Sequence, residues 1–222
     1  MVNITSHIAG IQIATIEIER LSRQCAAAMT QLNDRTTLHS FLKTRKSASA
    51  KAMAGPGPSK AELDEMLALA TRVPDHGKLA PWRFIIFLGE ARGRVGEAFK
   101  ARWAALNPSH GAESLDFVAN LFNRAPLVIG VVSTATIHPK IPIWEQQLSS
   151  AAVCLNLVLA AQALGFDAQW MTDWVAYDAM ALKAMGVGED EKLAGLIYIG
   201  HTSVTLEDRP RPEVSKLVTY WS

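Results

Sequence analysis

A basic segment extends from Arg35 to Ala61. It contains six lysines or arginines and no aspartate or glutamate. At its centre, residues 44–49 read T-R-K-S-A-S, which places two cations beside hydroxyl groups. Positive charge together with short, directional hydrogen-bond donors is what a phosphate monoester requires. The segment therefore predicts a phosphate site, and a solvated surface face is the alternative interpretation.

A second polar segment, residues 72–82, reads R-V-P-D-H-G-K-L-A-P-W. Its two prolines bracket a turn rich in hydrogen-bond donors, and an apolar run follows directly. Binding residues concentrate on loops that regular elements hold in place. We interpret the segment as a candidate binding loop, although a histidine such as His76 is also common as a purely structural residue.

The third candidate is W-M-T-D-W at residues 170–174. Apolar rings beside a hydroxyl and backbone donors suit a planar aromatic ligand. Packing in the core would explain Trp170 equally well.

Hydrophobic spacing and chain breakers define the elements that must position these segments. A capping box, S-K-A-E, begins at Ser59 and precedes apolar residues at helical spacing. The predicted helices cover residues 60–72, 91–105, 145–164 and 177–185. The predicted strands cover residues 83–89, 127–134, 168–172 and 193–200. Strands that alternate with helices predict an α/β or α+β sheet with helical layers.

Residues 146–166 form a long uncharged stretch. It is long enough to cross a bilayer, but it contains several polar side chains and no flanking cationic cluster, so we expect a buried helix and no membrane association. Its small and apolar residues surround most of the helix, which therefore needs cover on most sides. A homodimer is the natural hypothesis. The alanines that would permit close helix approach are Ala151, Ala152, Ala160, Ala161 and Ala163.

Composition limits the classes of protein to which the chain can belong. The chain has 222 residues, a formal net charge of +1 and 49% hydrophobic residues, which excludes disorder of the whole chain. Near-neutral charge also argues against nucleic acid as a partner. With only two cysteines, Cys25 and Cys154, we expect no disulfide framework and a cytoplasmic location. The first residues lack the basic region of a secretory signal.

Motifs of hydrolytic, nucleotide triphosphate and dinucleotide chemistry are missing from the sequence. The six histidines have no metal-ligand spacing, so we expect no metal site. We expect residues 1–37 to form a helical extension, with Met29 as a possible alternative start, and residues 38–222 to form the main domain.

Taken in order, the three segments resemble the nitroreductase family of flavin mononucleotide (FMN)-dependent oxidoreductases. The resemblance extends from about Leu38 to Trp221. Further segments that carry it are R-A-P-L-V-I at 124–129, P-x-W-E-Q at 142–146, A-A-x-A-L-G-F at 160–166 and L-V-T-Y-W at 217–221. Each motif alone is weak, but their order and spacing together are specific. The resemblance implies an α+β fold, a sheet flanked by helices, in a domain-intertwined homodimer with two shared FMN sites.

The resemblance also implies the residues of the FMN site. Arg45, Lys46 and Ser47 stand where the family holds the flavin phosphate and ribityl chain. Lys46 replaces the usual Arg, and Ala50 stands where a further cation is common. The other implied contacts are Arg72 and His76 from the partner subunit, Trp170, Met171 and Thr172 along the isoalloxazine ring, and Arg209 and Arg211 at the phosphate.

The implied activity is a ping-pong reaction in which NADH or NADPH delivers hydride to flavin N5 and a small electron acceptor then takes the electrons. Nitroaromatics and quinones are the implied acceptors. The flavin carries this chemistry, so no catalytic side chain is expected. A cation near N1 and C2=O would favour the negative charge of reduced flavin. Lys46 and Arg72 are the candidates for tuning the ring or the ribityl end, while Arg45 suits the phosphate. Two alternatives are a flavin-storage or flavin-sensing protein with little turnover, and a dimer of related fold that has lost flavin.

Overall fold

The computed structural model describes residues 31–109 and 111–221. The chain divides into two compact units, which are Met1–Lys46 with Glu207–Ser222 and Ser47–Leu206. Met29 and Cys25 lie outside the described residues. The division into an extension of residues 1–37 and a domain of residues 38–222 stays a prediction.

The larger unit is built on a five-stranded antiparallel sheet. Its strands are β1 (Met53–Ala54), β2 (Trp82–Leu88), β3 (Leu127–Ser133), β4 (Asp167–Met171) and β5 (Lys192–Thr202). The long strand β5 pairs with β3 along one side and β4 along the other, and β2 pairs with the far side of β3. Because neighbouring strands are antiparallel, the fold is α+β, in agreement with the implied class.

Six α-helices belong to the described residues. They are α1 (Leu38–Thr44), α2 (Lys60–Ala70), α3 (Glu90–Leu106), α4 (Ala112–Ala119), α5 (Ile143–Ala163) and α6 (Ala179–Ala184). Helix α1 lies in the smaller unit and the other five in the larger one. Within the described residues, the structure contains no helix with the length and apolar character needed to span a membrane.

The sheet of the larger unit is buried on both faces, as its central strand makes clear. Along β3, Leu127, Ile129 and Val131 pack with residues of α2 and α5. Val128 and Val132 point the other way, into a cluster that includes residues of α3, α4 and α6. Successive side chains on a strand point to opposite faces, so a strand covered on both sides reads as an unbroken apolar run.

The predicted elements of the larger unit are confirmed, with bounds that shift by up to two residues. The capping box at the start of α2 is present: Ser59 Oγ accepts from Glu62 N at 3.3 Å, and Glu62 Oε2 accepts from Ser59 N at 2.7 Å. Helix α4 was not predicted. It packs on α3 so closely that a Cβ at Gly96 would lie 2.0 Å from Ala119 O, and this tertiary contact stabilises a helix too short to be stable alone.

The smaller unit is held together locally around α1. Thr37 Oγ1 caps the helix by accepting from Ser40 N at 3.0 Å. Beyond its last turn, Lys46 N donates to Asn33 Oδ1 at 2.7 Å. These bonds fix the backbone at Arg45 and Lys46.

Candidate functional site

The smaller unit gathers cations from both ends of the described chain. Arg211 Nη2 donates to the backbone carbonyl of Arg45 at 3.3 Å and to Asp208 Oδ1 at 2.5 Å. We call Arg45, Lys46, Arg209 and Arg211 the cation cluster. These are the four predicted phosphate contacts in this unit, and the structure groups them around one carboxylate, that of Asp208.

The electrostatics of the cation cluster reflect crowding of like charges. Burial first, and then the positive charges of Arg211 and Arg209, lower the pKa of Arg45. The negative charge of Asp208 acts in the opposite direction and raises the pKa of Arg45. Hydrogen bonds from Arg211 and from the backbone N–H of Arg209 lower the pKa of Asp208, and Lys46 adds to that effect through its charge. An excess of positive charge at close range favours an anionic ligand.

In the larger unit, helix α5 fastens the loop at residues 72–82. Ser149 Oγ donates to the carbonyl of Pro74 at 2.6 Å, and Ser150 Oγ donates to that of Pro81 at 2.8 Å. Asn156 Nδ2 donates to the carbonyl of Arg72 at 3.3 Å. These polar side chains of α5 satisfy backbone carbonyls of the loop, of which that of the buried Pro81 most needs a donor, and they position the loop.

Two predicted site residues lie on the fastened loop. The His76 ring Nδ1 is 2.8 Å from Glu145 Oε2, and both side chains are well exposed. Arg72 is exposed as well. His76 is therefore oriented by a carboxylate of α5 while its ring remains accessible.

The predicted ring-binding residues lie at the end of β4. Trp170 is 39% exposed, and its indole contacts Gly195 on the neighbouring strand, since a Cβ at Gly195 would come within 2.0 Å of Trp170 Nε1. Met171 points the other way and packs against the cluster on the α3 side. Thr172 follows the strand and is half-buried. Trp170 thus presents a surface ring, whereas Met171 contributes to the core.

Ser47 begins the larger unit and is half-buried. The segment that it opens is attached to β4, because Ala50 N donates to Gln169 Oε1 at 2.5 Å. The backbone of Ala50 therefore has a structural role that its small side chain does not indicate.

Sequence reasoning missed several residues that shape the site. Asp208 directly precedes the two predicted residues Arg209 and Arg211 in D-R-P-R, and the acidic signal was visible there. Ser149 and Ser150 offered no signal, since their roles depend on the packing of α5 against a loop about seventy positions earlier in the chain. Glu145 belongs to the P-x-W-E-Q segment, but nothing in the sequence paired it with His76. In the part of the chain that the structure describes, no group of three or more His, Cys, Asp or Glu side chains is arranged to bind a metal ion.

Comparison with known proteins extends these observations. The model of the family described as "Nitroreductase family" matches residues 42–201. A Haemophilus influenzae protein named "Putative NAD(P)H nitroreductase" is 40% identical over 164 residues, which are 72% of this chain and 85% of that protein. The Escherichia coli protein "Putative NAD(P)H nitroreductase YdjA" is 31% identical over 75% of this chain and 93% of its own length.

Solved structures share the fold. A nitroreductase-like family protein from Bacillus cereus superimposes with a TM-score of 0.71 at 20% identity, covering 84% of this chain and 96% of that one. A nitroreductase with bound FMN from Bacteroides fragilis gives a TM-score of 0.59 at 19% identity, covering 82% and 96%. The family match, the 40% identical relative and the shared fold agree. The chain belongs to the nitroreductase family and is an oxidoreductase of that family.

Proposed function

We propose that the protein is an FMN-dependent oxidoreductase that uses NADH or NADPH to reduce nitroaromatic, quinone or related small electrophilic substrates. The observation that carries this proposal is the cation cluster. Four cations meet around one carboxylate, although Arg45 and Arg211 lie far apart in sequence. The relatives named as NAD(P)H nitroreductases and the FMN-bound neighbour support the cofactor and the reductant.

The donor set of the cation cluster fits the phosphate of FMN. A phosphate monoester carries about −1.5 to −2 charges near neutral pH and offers three acceptor oxygens. Guanidinium groups bind such oxygens with two parallel hydrogen bonds, which makes Arg45 and Arg211 the strongest candidates. Lys46 supplies a point charge, and Arg209 adds to the local positive potential. Ser47 offers a hydroxyl donor for the ribityl chain.

Trp170 and Thr172 are the proposed contacts of the isoalloxazine ring. Trp170 offers an exposed aromatic face, and Thr172 offers a hydroxyl and a backbone N–H. Met171 packs into the core on the opposite face of β4, so it supports this surface and does not form part of it. Arg72 and His76 are proposed to reach the flavin of the partner subunit, and their exposure on a fastened loop leaves them available for that contact.

When bound, FMN would supply the redox chemistry through its N5 position in a ping-pong sequence, with NADH or NADPH as the reductant and the small electrophile as the oxidant. The chain supplies binding and charge. Arg72 is the candidate for stabilising negative charge at the N1 and C2=O edge, and Lys46, which adjoins the phosphate site, is the candidate for the ribityl end. A charge stabilises such a site best when it is held in a fixed position. The hydrogen bond from Asn156 to the carbonyl of Arg72 holds the backbone of Arg72 in place.

A homodimer with shared FMN sites forms part of the proposal. Helix α5 buries one side against its own sheet and leaves Trp144, Leu148 and Leu155 exposed on the other. Ala160 and Ala161 are buried in the chain itself and do not serve a partner helix. An apolar strip on a central helix favours cover by a second copy. The cytoplasmic location stays a prediction from the cysteine content.

The proposal is tested by turnover. The purified protein is loaded with FMN, and the oxidation of NADH or NADPH is followed with a quinone or a nitroaromatic as acceptor. We expect sustained oxidation that depends on FMN, the protein and the acceptor together. Tight FMN binding without turnover would favour flavin storage or sensing, and failure to bind FMN would favour a relative that has lost the cofactor.

A further inference from the structure

One acidic residue lies inside the cation cluster. Asp208 Oδ1 accepts from Arg211 Nη2 at 2.5 Å and from the backbone N–H of Arg209 at 2.8 Å. It is therefore held in place from two sides. Because Asp208 also interacts electrostatically with Arg45 and Lys46, its charge bears on three members of the cation cluster, and the fourth, Arg209, meets it through its backbone N–H.

The contacts of Arg211 show what this acid does to the strongest donor of the cluster. A guanidinium Nη atom carries two hydrogens. Arg211 Nη2 directs them to Asp208 Oδ1 and to the Arg45 carbonyl. A phosphate that approached this edge of Arg211 would meet a donor already in use and a carboxylate of its own sign.

We propose that Asp208 is a built-in counter-ion that competes with the phosphate of FMN for Arg211 and thereby sets the affinity of the protein for phosphorylated flavin. The inference rests on the proposed function, because the cation cluster is taken there as the phosphate site. Asp208 stabilises the cluster when no phosphate is bound and weakens the phosphate complex by repulsion. Its target is the phosphate group, so riboflavin, which lacks that group, is unaffected.

Charge arithmetic gives the size of the effect. A single charge about 5 Å from a phosphate dianion in a watery environment is worth a factor of about ten in affinity. The side chains of Asp208 and Arg211 are about half exposed, so the repulsion is screened and falls as salt rises.

The test is a variant pair, Asp208→Asn and its exposed neighbour Glu207→Gln. Asparagine keeps the size of the side chain and removes its charge. Glu207→Gln removes the same charge one residue away, so it controls for the change in net charge. FMN and riboflavin affinities are measured by quenching of flavin fluorescence at low and high salt, and inorganic phosphate binding is measured by the shift in melting temperature.

We expect Asp208→Asn to bind FMN about tenfold more tightly at low salt, with a smaller gain at high salt and no change for riboflavin. Inorganic phosphate should protect this variant more than wild type. Unchanged FMN affinity would overturn the proposal, and so would weaker FMN binding, which would make Asp208 a support for Arg211. Wild type that binds no FMN would refute the proposed function instead, and the phosphate shift would still test Asp208.

Discussion

Arg211 donates a hydrogen bond of 3.3 Å to the backbone carbonyl of Arg45, a residue 166 positions earlier in the chain. This contact joins the segment after α1 to the C-terminal segment and creates the local excess of positive charge. A local excess of this kind is what the proposed phosphate site requires in a protein of net charge +1.

Replacing Arg45 by Ala should weaken FMN binding by more than tenfold. A hydrogen bond between a charged donor and phosphate is worth about 1.5–3 kcal/mol. The affinity is measured by fluorescence titration at fixed ionic strength. Lys43→Ala is the matched control, since Lys43 is an exposed cation two residues away. Equal FMN affinity in the two variants would remove Arg45 from the phosphate site.

Gly195→Ala should displace Trp170. The new Cβ would come within 2.0 Å of the indole Nε1, far closer than packing allows, and the side chain must move. We expect a loss of about 1–3 kcal/mol in the free energy of unfolding and a shifted absorbance spectrum of bound FMN. Gly93→Ala is the comparison without a clash, because a Cβ there meets nothing within 4 Å, and it should be neutral or stabilising since alanine favours the helix.

A double-mutant cycle tests whether the loss in the free energy of unfolding caused by Gly195→Ala comes from the contact with Trp170. In a Trp170→Ala background, Gly195→Ala should cost much less stability in urea unfolding, since the clash is gone. The same cost in both backgrounds would show that the indole is not what limits residue 195.

Leu155→Asp should convert the proposed homodimer to a monomer. A charge in an apolar interface is costly to desolvate, so association is lost while the monomer fold is kept. Light scattering measures the mass. Leu106→Asp is the control, because Leu106 lies at the end of α3 and is 47% exposed, as is Leu155. If Leu155→Asp stays dimeric, this face of α5 does not form the interface.

The ion pair between Arg83 and Glu191 should make stability depend on pH. Hydrogen bonds from Arg83 lower the pKa of Glu191 to about 2 from an ordinary 4.5. The stabilisation is therefore complete above the unfolded-state value and is lost as pH falls from about 5 towards 2. We expect Glu191→Gln to cost about 1–2 kcal/mol at pH 7, after allowance for screening, and much less at pH 3. Urea unfolding at the two pH values measures this, and an equal cost at both would contradict it.

Periodicity and capping predicted the main helices and strands well, because burial of one or both faces of an element determines the spacing of its apolar residues. The start of α2 at Ser59 is an example. The local sequence of helix α4 predicts a helix only weakly, since its stability comes from the close approach of Gly96 to Ala119. The spacing of residues within one segment does not show which distant segment it will contact.

The candidate site divides in the same way. The grouping of Arg45 with Arg209 and Arg211 was expected only from the family resemblance, and local pattern alone left the basic segment open to a surface interpretation. The different orientations of Trp170 and Met171 follow from strand alternation, which places neighbours on opposite faces. Asp208 was missed because two acids followed by two arginines, E-D-R-P-R at residues 207–211, read as ordinary surface ion pairs.

The central claim is tested most directly by the absorbance of the FMN-loaded protein under anaerobic conditions, while NADH or NADPH is added. We predict that the flavin band in the blue bleaches rapidly and completely with at least one of the two nucleotides, and that it returns when a quinone is added. A yellow protein whose band stays unchanged, or bleaches far more slowly than any turnover would allow, would contradict the account of an FMN-dependent oxidoreductase.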